Sequence, residues 1–186
     1  MDTGKGSRRR GTWLLFVGAV WPWFACGEGL PQTEAARTYW AECAAAIGEP
    51  ADRPFRVRRF GSTPEISNLL LSLVLAGEKT ITNTSPWLYD DDLQAAPVAG
   101  DYWVVMDGAG KPGAVLRTTA VKTVPMDQVT EEDSQYEGPT VRSIEAWRKV
   151  HWNFFTRVLA PLEKAPTADM PVTLERFEVV CPRPAE

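Results

Sequence analysis

The sequence predicts an α+β protein built on a small curled sheet or barrel with packing helices. Three observations carry that prediction. Stretches with helical apolar spacing occur at residues 33–47, 62–77 and 143–159. Strand-like stretches of alternating or β-branched character occur at 55–60, 79–84, 101–106, 114–124 and 172–180. The two kinds do not follow each other in the regular βα order that marks a parallel, doubly wound sheet.

The first thirty residues stand apart. Arg8-Arg9-Arg10 precede an apolar run from Thr12 to Ala25, a positive segment followed by a short hydrophobic one. That is the pattern of a secretory signal, and it is short for a membrane span. Ala25-Cys26-Gly27 offers a lipoprotein-type cleavage site, although Trp23 and Phe24 fit poorly before it. The competing reading is a spurious extension upstream of the true start. Residues 1–30 are therefore set apart from a folded domain at 31–186.

Within that domain, Ala36, Tyr39, Trp40, Cys43 and Ile47 form a helical stripe that Gly48 closes. Phe55 to Phe60 reads as a strand with Arg56 and Arg58 on one face. Such a pair can hold a phosphate, and more commonly forms a solvated face. Ser62-Thr63-Pro64-Glu65 starts a helix with a hydroxyl cap, an early proline and an acid in the first turn. Ile66, Leu69, Leu70, Leu73 and Val74 are its expected inner stripe, and Gly77 its stop.

Lys79 to Thr84 then begins a strand. A lysine at a helix-to-strand junction, among backbone amides and three threonine hydroxyls, is well placed for chemistry. Ser85 to Ala99 is a loop with Trp87, Tyr89 and the acidic run Asp90-Asp91-Asp92, which lacks metal-ligand spacing. The strands 101–106 and 114–124 are joined by a glycine-rich hairpin that is not a phosphate loop, since it lacks the GK[ST] ending. Thr130-Glu131-Glu132-Asp133 begins a short helix, with acids at its positive end, that runs into a turn at Glu137-Gly138-Pro139. The last helix carries Ile144, Trp147, His151, Phe154, Phe155 and Val158 on one face, with Arg148 beside it. Taken alone, His151 reads as a hydrogen-bonded core histidine. In the closing strand Glu175 and Phe177 share one face.

Composition narrows the function. The chain has 186 residues, 44% hydrophobic and 24% charged, which suits one domain with a full core. The formal charge is -4, and because residues 1–10 carry a positive excess the remainder is more acidic still. An acidic body favours a small ligand over a long polyanion, whose binding rests on phosphate neutralisation. Three cysteines without a CxxC pair and a single histidine argue against a zinc site, so no metal and no cofactor is expected.

Several stretches together resemble the ASCH family, which has a PUA-like β-barrel fold and is associated with RNA or nucleoside chemistry. They are Phe60-Gly61, the leucine-rich helix, Gly77-Glu78-Lys79-Thr80-Ile81-Thr82, Gly100-Asp101-Tyr102, Val129-Thr130, Glu137-Gly138, Trp147-Arg148 to His151 and Glu175-Arg176-Phe177. The resemblance spans roughly residues 35 to 182. A short-chain branch of that family consists of acetylcytidine amidohydrolases, which remove the acetyl group from the exocyclic nitrogen of acetylated cytidine. By that resemblance Thr82 is the nucleophile, Lys79 the proton acceptor and Glu137 the proton donor.

The chemistry is coherent, since a threonine hydroxyl needs a neighbouring base. The spacing makes a demand on the backbone: in a regular strand Lys79 and Thr82 face opposite sides. The chain is similar to the longer branch of the family, many of whose members have Glu-Gly-Glu where this chain has Glu137-Gly138-Pro139. The resemblance implies a small nucleoside-type substrate, with an RNA-binding module or ribonuclease as the alternative. Trp87, Arg56, Arg148 and His151 are the expected substrate contacts. No membrane contact is expected of the folded domain, and a cytoplasmic location is favoured, with export through the signal-like segment as the alternative.

Overall fold

The computed structural model describes residues 30–89 and 95–182. Four helices, α1 (Glu34–Ile47), α2 (Pro64–Leu75), α3 (Glu131–Ser134) and α4 (Ile144–Leu159), pack on five strands. The strands are β1 (Arg56–Arg58), β2 (Ile81–Thr84), β3 (Tyr102–Met106), β4 (Pro112–Pro125) and β5 (Pro171–Pro182). They form one sheet in the order β1-β3-β4-β5-β2, in which only the β1/β3 pair is parallel. The α+β class read from the sequence is the class of the fold.

The sheet curls without closing. Arg58 on β1 hydrogen-bonds Glu175 on β5, three strand spacings away in the sheet order. On a flat sheet those backbones would lie about 14 Å apart. The long strands β4 and β5 bend through two register shifts, between Val115 and Leu116 and between Thr118 and Ala120. That curl brings β1 toward β2, yet among the described residues the two edge strands do not pair. Of the small curled sheet or barrel expected from the sequence, the structure is the curled sheet, with one open seam where a barrel would close.

Helix ends follow their caps. Thr33, Thr63 and Ser143 accept from backbone amides at the starts of α1, α2 and α4, and Thr130 with Asp133 makes a capping box at α3. The buried face of α2 matches the expected stripe only in part: Val74 is buried and Leu70 packs on the core as expected. Ser67, Leu71 and Val74 are buried, whereas Ile66 and Leu69 are exposed. With apolar residues at most positions from Ile66 to Leu75, periodicity selects no single face. Packing does: a Cβ at Gly113 would sit 2.3 Å from Leu71, so this glycine lets β4 lie against α2 at that residue.

Three apolar clusters fill the interior. One lies under α4 around Trp147, Phe155, Met170 and Leu174, one under α1 around Trp40 and Val104, and one under α2 around Phe60, Trp103 and Phe177. A disulfide between Cys43 on α1 and Cys181 on β5 spans 138 residues of sequence. Spacing in the sequence gave no sign of that pair. No described helix is long and apolar enough to cross a membrane. Residues 1–29, and the aspartates at 90–92, lie outside the described residues.

Candidate functional site

The end of α2 sets up the site. Gly77 takes a left-handed φ of 71°, which favours glycine, and turns the chain so that Lys79 N bonds back to Leu73 O. Thr80 then bonds Tyr136 O through its amide and accepts from Phe177 N through its carbonyl. Arg142 ties the two segments together, donating to the carbonyls of both Glu137 and Glu78 at 3.0 Å. Residues 58 apart in sequence, Lys79 and Glu137, are thereby held side by side.

Four side chains form one buried group there. Lys79 Nζ donates to Glu137 Oε2, and Asn83 Nδ2 donates to Glu137 Oε1. Asn83 Nδ2 also lies 3.0 Å from His151 Nε2, and His151 Nδ1 is 2.9 Å from Trp147 O. A carbonyl oxygen only accepts, so Nδ1 carries the ring proton and Nε2 accepts from Asn83. The imidazole stacks on Trp147 at 4.2 Å. All four are under a tenth exposed. Burial pushes the Glu137 carboxyl up, but the charge and hydrogen bond of the Lys79 ammonium outweigh it and hold it at about 2. At neutral pH Glu137 is a carboxylate.

A second buried group lies on the other face of β2. Glu175 accepts from Arg58 at 2.8 Å and from Thr118 at 2.6 Å. The Arg58 guanidinium lies 3.3 Å over the Trp103 ring, whose Nε1 donates to Thr118. Burial pushes Arg58 down, and Glu175 beside it pushes back up. Between the edge strands runs a narrow, partly open cleft lined by Arg58, Thr82, Asn83, Tyr89, Trp103 and Glu175, among others. Asn83 belongs to both places: it lines the cleft and bonds Glu137 and His151.

The structure brings together Lys79, Glu137 and His151. Thr82 lies on the cleft wall, paired across the strands with Glu175, on the opposite face of β2 from Ile81 and Asn83. No hydrogen bond joins Thr82 to Lys79 among the described residues. Arg56 is ion-paired with Asp101 and lies 4.4 Å over Trp103. Arg148 is exposed and bonds Asp127 O, and Trp87 packs on the α4 cluster beneath Lys164. Sequence reasoning passed over Asn83, Thr118 and Arg142. Glu175 carried a usable signal, an acid on the inner face of an otherwise apolar alternation. No group of histidine, cysteine and carboxylate side chains suited to a metal ion occurs among the described residues.

The fold and its seam define an α+β, PUA-like class of protein. The chain matches the ASCH domain model over residues 56–181 and belongs to that family. It is similar to a protein of family DUF984 from Enterococcus faecalis, at 32% identity and a TM-score of 0.70, covering 80% of this chain and 94% of that one. It is also similar to an ASCH domain from Lactobacillus crispatus, at 25% identity and a TM-score of 0.72, covering 80% and 96% respectively. No curated protein matches the chain.

Proposed function

We propose that this chain is a hydrolase that removes an acyl group from the amide nitrogen of a modified nucleoside, of the acetylcytidine type. The observation that supports it most is the pairing of Lys79 with Glu137 inside a buried group whose member Asn83 reaches the cleft beside Thr82.

The reaction starts from an ion pair. Filling the cleft removes water, and a charged pair loses solvation that a neutral pair does not need. One proton moves from Lys79 Nζ to Glu137 along their existing hydrogen bond, leaving an amine and a carboxylic acid. Thr82 Oγ1 bonds to the acyl carbon as its proton passes to the Lys79 amine. The Glu137 acid protonates the departing nitrogen as the C–N bond breaks. These two transfers restore the Lys79–Glu137 pair. Water then cleaves the acyl-threonine, one of its protons returning to Thr82 Oγ1 and the other leaving to solvent as the carboxylate departs. The step requires Lys79 Nζ to swing to about 3 Å from Thr82 Oγ1.

Release of acetate from acetylcytidine tests the reading. Lys79→Ala, Thr82→Ala and Glu137→Gln should each lower kcat/KM by about a hundredfold or more. Variants that turn over at the wild-type rate sink it.

The alternative, an RNA-binding module or ribonuclease in the same cleft, has less support. Arg56 and Arg58 are committed to Asp101 and Glu175, which leaves no surplus cation on β1 for a phosphate. Binding of single-stranded RNA that weakens steeply with salt would restore it.

For location, the Cys43–Cys181 bridge favours the exported alternative, because disulfides persist in oxidising compartments. Fractionation with N-terminal sequencing of the mature chain decides between export and the cytoplasm.

A further inference from the structure

We propose that Arg58 and Asn83 read the polar edge of a neutral heterocycle in the seam cleft. Asn83 Oδ1 accepts from an exocyclic N–H, and Arg58 Nε donates to a ring nitrogen or carbonyl oxygen. That donor-and-acceptor pair is the edge of a cytosine-type base. The proposal rests on the cleft being the nucleoside site described above.

Unmet hydrogen bonds carry it. Among the described residues Arg58 Nε, Asn83 Oδ1 and Tyr89 OH are buried atoms without a partner on residues that line the cleft, and the first two are a donor and an acceptor fixed in place. Arg58 is 5% exposed and Asn83 8%. Leaving a buried polar atom unpaired costs about 1–3 kcal/mol, and a ligand that supplies the partner recovers it.

Neither atom can turn away to find another partner. Arg58 is fixed by its bond to Glu175 and by its stacking on Trp103. Asn83 is fixed because its Nδ2 is held by Glu137 and His151, so the carbonyl must sit on the other side of the amide. Both groups are thus oriented before any ligand arrives, which is how a binding site avoids an ordering cost.

Charge selects the class. The Arg58 guanidinium is balanced by Glu175, and the Lys79 ammonium by Glu137. With the His151 ring neutral, as its bonds to Trp147 and Asn83 imply, the seam offers no excess of either sign. A phosphate would meet no free cation there. A neutral ring with one N–H and one acceptor meets Asn83 Oδ1 and Arg58 Nε, and leaves Tyr89 OH free to meet a further polar group.

The test is calorimetric titration of the full chain with cytidine, the product, so that no chemistry intervenes. Two analogues accompany it: one carrying two methyl groups on the exocyclic nitrogen, and a deaza analogue with C–H in place of the ring nitrogen. Each should bind about tenfold or more weaker than cytidine. In Arg58→Lys, which keeps a cation beside Glu175 but has no Nε donor, cytidine should weaken about tenfold. There the gap between cytidine and the deaza analogue should close. Equal binding of all three ligands to the wild type overturns the proposal, as does failure of both cytidine and acetylcytidine to bind. Selective cytidine binding without acetate release refutes only the hydrolase reading; acetate release without discrimination among the ligands refutes only this one.

Discussion

Two buried ion pairs flank β2, and they differ in what their protons can do. Arg58–Glu175 joins a guanidinium that stays charged at any ordinary pH to a carboxylate held also by Thr118. It links the first strand of the sheet order to the fourth, so its work is geometric: it holds the curl and shapes the cleft wall. Lys79–Glu137 joins an amine that can lose its proton to a carboxylate touched by an amide and an imidazole. It sits where two chain segments meet, tied by Arg142. Similar burial thus holds shape on one side of the strand and, in the proposed reaction, would serve proton transfer on the other.

The comparison can be broken by removing one carboxylate from each pair. Glu175→Ala should cost roughly 3–5 kcal/mol, because it strands a buried guanidinium that cannot neutralise. Glu137→Ala should cost less in stability, since Lys79 can shed its proton, but more in turnover. Urea denaturation of both variants checks the order; a larger loss for Glu137→Ala reverses the assignment.

Acid sharpens the same contrast. Glu137 drops from an ordinary 4.5 to about 2 in the folded protein. A depressed carboxyl contributes stability that is fully present above its unfolded value and is lost as pH falls through its folded value. The window is therefore from about 4.5 down to about 2, and the amount is roughly 3 kcal/mol. Melting temperature followed across that range should fall more steeply in wild type than in Glu137→Gln. Parallel curves would remove Glu137 as the cause.

The smallest effect belongs to a pair that serves neither purpose. Arg117 and Glu178 are about half exposed on adjacent strands. Arg117→Ala should leave the urea midpoint close to that of the wild type. A loss as large as that from Glu175→Ala would show that burial is not what separates these pairs.

The sequence carried more of the fold than of the site. Helix starts and glycine stops were legible because those signals are local: Thr63 with Pro64 and Glu65, and the acids after Thr130, each act within their own turn. The face of α2 was misread in part because seven apolar residues between Ile66 and Leu75 leave the choice to tertiary packing. The open seam and the Cys43–Cys181 bridge depend on how far the sheet curls, which no short window records. In the site, Lys79 and Glu137 were legible through their motifs. Asn83, Arg142 and Thr118 were not, since a single polar residue in a strand or loop looks the same whether it meets solvent or a buried carboxylate.

What most needs testing is whether Thr82, across the strand from Asn83, takes part in the reaction that the Lys79–Glu137 pair would drive. The direct measurement is mass spectrometry of the Thr82 peptide after acid quenching of the full chain during turnover of acetylcytidine. The expected result is a fraction of that peptide heavier by one acetyl group, present in wild type and absent in Thr82→Ala. An unmodified peptide, together with wild-type acetate release by Thr82→Ala, would contradict the nucleophile role and leave Lys79 and Glu137 without the partner proposed for them.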